Sequence, residues 1–237
     1  MALLSDPEAW LAFVTLVALE VVLGIDNIVF ISILADKLPE ARRERIRRLG
    51  LLLAMVMRLA LLAILAWLVG LTAPLFNIFG HGFSGRDLVL IAGGLFLIYK
   101  STTEIHELAQ AGETHTAAAV RAAAAAILAQ IVLVDIVFSL DSIITAVGMV
   151  DDLRIMTAAV IASVALMMAF AGPIGRFISA RPTIKMLALA FLLMIGLVLV
   201  ADGLGVHVPK GYVYFAMAFS VLVEMLNLRV RRGKGLH

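Results

Sequence analysis

Two stretches of this chain repeat one arrangement of oxygen-bearing side chains. In the first, Glu20 is followed six positions later by Asp26 and then by Asn27. In the second, 115 residues downstream, Asp135 is followed six positions later by Asp141 and then by Ser142. Carboxylates, an amide and a hydroxyl are hard donors, the set that suits Mn²⁺, Ca²⁺ or Mg²⁺. A zinc or copper site would recruit His or Cys, but the chain has no Cys. Its five His, at 81, 106, 115, 207 and 237, fall in loops or at helix ends. Clustered carboxylates repel one another and coexist only beside a cation or with protons bound. The pattern points to a divalent-cation site, with the ion as a substrate and no prosthetic group.

Helical spacing gives the pattern a direction. Glu20, Gly24 and Asn27 stand at i, i+4 and i+7 and share one face. Asp135, Ser139 and Ser142 make the matching face of the second segment. Each face carries a carboxylate, a small residue that permits close helix approach, and a neutral oxygen. Asp26 and Asp141 lie about 100° round from the last member of each face. Local unwinding is expected to turn them inward, and Gly24 makes such a break easier. Three further residues are possible accessories. Arg58, about two turns into the second helix, either neutralises the acids when the site is empty or snorkels to the interface. Glu224 and Asn227 share a face of the last helix and are candidates to line the permeation path.

The elements that position these residues are membrane helices. Of 237 residues, 63% are hydrophobic and 15% charged, against about 45–50% and about 25% in soluble domains. The apolar excess comes in long runs near the roughly 20 residues that cross a bilayer as helix, not in the short alternating segments of a barrel. The expected spans are 8–34, 50–72, 87–108, 121–150, 155–177, 184–202 and 211–228. The chain is read as an all-α polytopic membrane protein of about seven transmembrane helices, forming one domain over 1–237. Ser5-Asp-Pro-Glu8 fits a helix start and lacks the basic region of a signal peptide, so the first span is expected to be retained. A net charge of +2 gives no reason to expect a nucleic-acid partner. The partners implied are the lipid bilayer, a divalent metal ion and protons.

Lysine and arginine set the orientation. Lys37, Arg42, Arg43, Arg45, Arg47 and Arg48 crowd the first connection. With that side cytoplasmic and the spans alternating, fifteen basic residues lie inside, three lie outside, and Arg58 falls within a span. The N-terminus is then outside and the C-terminus in the cytoplasm of a cell-membrane protein. The two acidic motifs run in opposite directions, as in an inverted three-plus-three repeat. That transporter architecture places its binding site at the repeat interface near the midplane. Repeat one covers about 8–108, repeat two about 121–202, and the helix near 211–228 is an addition.

With both motifs in view, the chain resembles the TerC family, named for a tellurium-resistance membrane protein. The resemblance rests on Glu20…Gly24-Ile-Asp26-Asn27 and Asp135…Ser139-Leu-Asp141-Ser142, and extends over roughly residues 8–228. It departs from the common pattern at Gly24, often Ser, and at Ile144, often Pro, and it lacks the cytoplasmic domains of longer members. Membership implies a seven-helix fold similar to the LysE-type exporters, and several members are regarded as Mn²⁺ exporters. The family's motif positions carry over to Glu20, Asp26, Asn27, Asp135, Asp141 and Ser142. The expected function is export of a divalent metal cation, Mn²⁺ first, with Ca²⁺ and Mg²⁺ as alternatives, coupled to protons. Two other classes stay open. A membrane-embedded metal-dependent enzyme would turn over substrate without compartments, although no HExxH, GxSxG or phosphate loop is present. A metal sensor or scaffold would bind metal and move none.

Overall fold

The computed structural model describes residues 7–64, 72–78, 81–110, 117–147 and 152–233. Some side chains within these segments, those of Asp26 and Asp141 among them, lie outside the described set. Seven helices are described: α1 (Pro7–Ala35), α2 (Glu40–Ala63), α3 (Gly85–Gln110), α4 (Ala117–Val147), α5 (Leu153–Ser179), α6 (Pro182–Gly203) and α7 (Lys210–Gly233). Between α2 and α3, the strands β1 (Pro74–Ile78) and β2 (His81–Ser84) form an antiparallel hairpin.

Local chemistry explains where several helices start and stop. The Asp87 carboxylate accepts from the Ser84 backbone N–H at 2.9 Å and from its hydroxyl at 2.7 Å, fixing the turn from β2 into α3. Asp152 caps α5 by accepting from the Arg154 N–H at 2.8 Å. Pro182 opens α6 in its first turn, where its missing N–H would have no helical partner. Past the end of α6, Gly205 takes φ 83°, a left-handed conformation that glycine adopts without penalty.

By length and composition, α1, α3, α5, α6 and α7 are apolar enough to cross a membrane. In α4 the apolar stretch among described residues is Ala124–Leu140. Two expectations need correcting. The second helix begins at Glu40 rather than near 50, because the basic run is helical instead of a loop. Arg and Glu are good helix formers, and Glu44 and Arg48 add an i,i+4 ion pair at 3.2 Å. The expected end of that span, 65–71, lies outside the described residues. The hairpin is the second correction, since His81 is expected in a loop or at a helix end and instead begins β2.

Packing fixes the helix directions. An apolar cluster joins Leu16 early in α1, Leu61 and Leu62 at the end of α2, Ile143 near the end of α4, and Met156 at the start of α5. At the opposite end, Asp36 just beyond α1 meets Arg47 early in α2, Ser179 at the end of α5 and Lys185 at the start of α6. So α1 and α5 run one way, and α2 and α4 the other. In the larger contacts α1 packs on α5, α2 on α4, and α3 on α6. The last pair meets backbone to backbone. A Cβ on Gly94 would lie 2.6 Å from the Gly196 carbonyl oxygen, and one on Gly196 would lie 2.8 Å from that of Gly94.

Candidate functional site

Helices α1, α2 and α4 converge on one buried polar cluster midway along the bundle. From α1 come Glu20 and Asn27, and from α4 come Asp135, Ser139 and Ser142. Their i, i+4, i+7 spacing sets each trio on one helical face, and the apolar remainder of each helix shields them. Glu20 is 3% exposed and Asp135 1%. Asn27 donates its amide N–H to Asp135 Oδ1 at 3.0 Å, so the two motifs touch directly.

Between the carboxylates lies Arg58 of α2, 3% exposed. Its Nη1 donates to Glu20 Oε2, and its Nη2 reaches Asp135 Oδ1 at 3.3 Å. Its Nε donates to Ser139 Oγ at 3.0 Å, and that hydroxyl lies 3.2 Å from Asp135 Oδ2. Of the two readings the sequence left open for Arg58, the geometry has it among the acids rather than at the interface. One guanidinium serves two carboxylates, so the described cluster carries more acid than base. Burying such a group is costly unless charges are paired and hydrogen-bonded, and here each charge has at least one partner.

Ser139 does more than its sequence reading allowed. It was expected only to let helices approach closely, but its hydroxyl links Arg58 to Asp135. The signal in the sequence was the polar residue at the position that matches Gly24. Gly24 itself serves packing. A Cβ there would fall 2.2 Å from the sulfur of Met167 on α5, so the missing side chain makes room for that thioether. Unwinding at Gly24 was expected, but α1 stays helical from Pro7 to Ala35. Its intrahelical hydrogen bonds have no substitute in an apolar setting.

The other expected residues fall out as follows. Ser142 is buried on the face of α4, but its hydroxyl donates to the Ser139 carbonyl of its own helix at 3.1 Å. The side chains of Asp26 and Asp141 lie outside the described residues, although both positions are helical. Glu224 and Asn227 are not brought to the cluster. They pair with each other at 3.3 Å on α7, which packs mainly against α6. Among the described residues, no three His, Cys, Asp or Glu side chains gather as a metal-binding group.

A second ionic region closes the end of the bundle where α1 stops. Asp36 accepts from the Ser179 hydroxyl at 2.6 Å and lies 2.8 Å from Lys185 and 3.6 Å from Arg47. Beside it, Lys37 meets Glu104 at 2.6 Å and Glu107 at 2.5 Å, and Lys100 meets Glu104 at 2.8 Å. Burial works against the charge on Lys37, but hydrogen bonds from Lys37 to Glu104 and Glu107 outweigh it and hold the lysine above its ordinary range. The sequence reading took most of these cations as topology signals and did not single out Asp36.

Residues 5–234 match the sequence profile of the integral membrane protein TerC family. A UPF0053 protein of Haemophilus influenzae is 54% identical over 230 residues, covering 97% of both chains. The UPF0053 inner membrane protein YgdQ of Escherichia coli is 55% identical over 227 residues, covering 96% of this chain and 95% of its own. The UPF0053 inner membrane protein YoaE of Escherichia coli is 50% identical over 235 residues, which cover 98% of this chain but 45% of YoaE. No solved structure matches the chain.

Proposed function

The chain belongs to the TerC family of integral membrane proteins and is a multi-pass membrane protein; from that premise we propose that it exports a divalent metal cation, Mn²⁺ first, through the Glu20–Asp135 cluster. The observation that carries this reading is the burial of two carboxylates from two matched motifs, joined through Asn27 and Ser139, with one guanidinium between them. Each charge near the bilayer centre costs at least about 2.5–3.5 kcal/mol, which makes an intramembrane acid a functional group by default.

In this mechanism Glu20 and Asp135 supply the permanent anchor, and Asp26, Asp141, Asn27 and Ser142 complete a hard-oxygen shell. The cation enters from the cytoplasmic side, with the N-terminus outside and the C-terminus inside. It leaves outward as the two halves rock past each other, and protons replace it on the carboxylates. Support for an inverted repeat comes from the helix directions, since α1 and α4 run oppositely. The pairing of α1 with α5 mirrors that of α2 with α4.

The test is flux in proteoliposomes loaded with Mn²⁺, Ca²⁺ or Mg²⁺ in turn. Mn²⁺ efflux above protein-free vesicles, steeper when the receiving side is acidic, is the expected result. Binding of Mn²⁺ without movement would make the protein a sensor or scaffold instead.

A further inference from the structure

The guanidinium of Arg58 occupies the point between the first carboxylates of both motifs, where a positive charge has most to gain. Three of its N–H groups are engaged, one each by Glu20, Asp135 and Ser139. A cation of the protein's own thus takes up donors that the transport reading gives to the cargo. The arrangement is one-sided. The helix matched to α2 in the second half is α5, and 115 residues beyond Arg58 that helix has Pro173. Asn27 also crosses from α1 to Asp135, whereas its counterpart Ser142 turns back to its own helix. A guanidinium cannot give up its charge in a protein, so this group is either paired with the acids or must be displaced from them.

We propose that Arg58 is a tethered stand-in for the cargo: it fills the acid cluster in the empty carrier, and the metal binds only by displacing it. This rests on the transport reading above and extends it. Displacement lowers apparent metal affinity, because every binding event breaks the Arg58 contacts. In return, the guanidinium offsets one of the two carboxylate charges as soon as the cation leaves and a proton the other, so the empty carrier resets without a bare pair of carboxylates in the membrane interior. Loading and resetting are thereby assigned to one side chain, and the metal and the guanidinium alternate at the same oxygens.

The experiment compares wild type, Arg58→Gln and Arg58→Lys as full-length protein in lipid nanodiscs and in proteoliposomes, with Mn²⁺ as the probe. Gln removes the charge and keeps a donor for Ser139. Its Mn²⁺ dissociation constant is expected to fall about tenfold or more, since binding no longer has to break the Arg58 contacts with the carboxylates. Lys keeps the charge but loses the fork, so its affinity should lie between the two. In flux, Arg58→Gln is expected to lose net efflux at least about tenfold more than Mn²⁺–Mn²⁺ exchange, which needs no empty-carrier step. A purely structural ion pair predicts weaker binding and equal loss of both modes, and that result overturns the inference. If Arg58→Gln cannot be recovered folded, Arg58→Lys decides by the same signs at smaller size. Wild type that neither binds nor moves Mn²⁺ removes the transport reading and this inference together. Wild-type transport with proportional loss in the variants removes this inference alone.

Discussion

Two ionic regions lie along the same helices, and they differ in the balance of charge. In the middle, Arg58 is the one cation among the described residues that faces Glu20 and Asp135, and all three side chains are almost fully buried. At the end, Asp36 faces Arg43, Arg47 and Lys185, while Lys37 and Lys100 share Glu104. There the cations are in surplus, and Arg43 and Lys37 are about a third exposed, at 33% and 31%. A region short of positive charge, sealed by apolar helices, is suited to receive a cation. A region with surplus cations at the water boundary is suited to hold helix ends together and to fix topology. On the proposed function, similar residue types serve binding in one place and fastening in the other, and the surroundings decide which.

Removing charge from both sides tests that contrast. The largest effect is expected from Glu20→Gln combined with Asp135→Asn, which strands Arg58 in an apolar interior. Breaking a buried pair in this way costs about 3–5 kcal/mol, read as a lower unfolding temperature in detergent, and flux falls to background. Adding Arg58→Gln to that pair should restore most of the stability without restoring flux. A smaller loss is expected from Asp36→Asn, about 1–3 kcal/mol. Lys185 and Arg43 can turn to water, but Arg47, with a side chain 5% exposed, keeps among the described residues only Glu44 as an acidic partner. Flux should fall only in part. If Asp36→Asn destabilised the protein more than the central double variant, the two regions would have to exchange roles.

Smaller still is Gly175→Ala. Its Cβ would fall 2.5 Å from Arg47 Cζ, so the guanidinium must shift off α5 and lengthen its contact with Asp36. The obstacle is the far end of a flexible side chain, so the cost should stay near about 1 kcal/mol. The least effect belongs to Lys37→Met, under about 1 kcal/mol, because Lys37 and Glu107 are partly exposed. It carries a pH signature. Lys37 is raised above 10.5 in the folded protein, so its stabilising contribution is fully present below that value. The difference between wild type and Lys37→Met should stay constant from neutral pH to about 10, then shrink as the pH rises through the folded value. A difference that vanished already near pH 8 would mean that the Glu104 and Glu107 contacts do not hold.

Much of this organisation was legible in the sequence, for a physical reason. Bilayer thickness sets the length of an apolar run, so six of the seven helices lie within five residues of their expected bounds. The exception, α2, opens with an Arg- and Glu-rich stretch that looked like a loop on hydropathy but favours helix on propensity. In the site, period and spacing brought Glu20, Asn27, Asp135 and Ser142 to matching faces. What periodicity does not encode is contact between helices. Arg58 therefore carried two readings, and Ser139 passed for a spacer. Asp36 escaped notice because its partner Ser179 is 143 residues away in sequence. Gly24 was read as a hinge when its partner across the helix interface, Met167, needed the space.

The central claim is that the two motifs together hold the cargo, and the most direct measurement leaves Glu20, Asp135 and Ser139, the described partners of Arg58, in place. In sealed vesicles, Mn²⁺ flux through the double variant Asp26→Asn, Asp141→Asn is compared with wild type at equal membrane insertion and equal thermal stability. The account predicts loss of flux to the protein-free background, because two charges of the proposed oxygen shell are gone while shape is kept. Wild-type flux in that variant would contradict it and remove the paired motifs from the transport path.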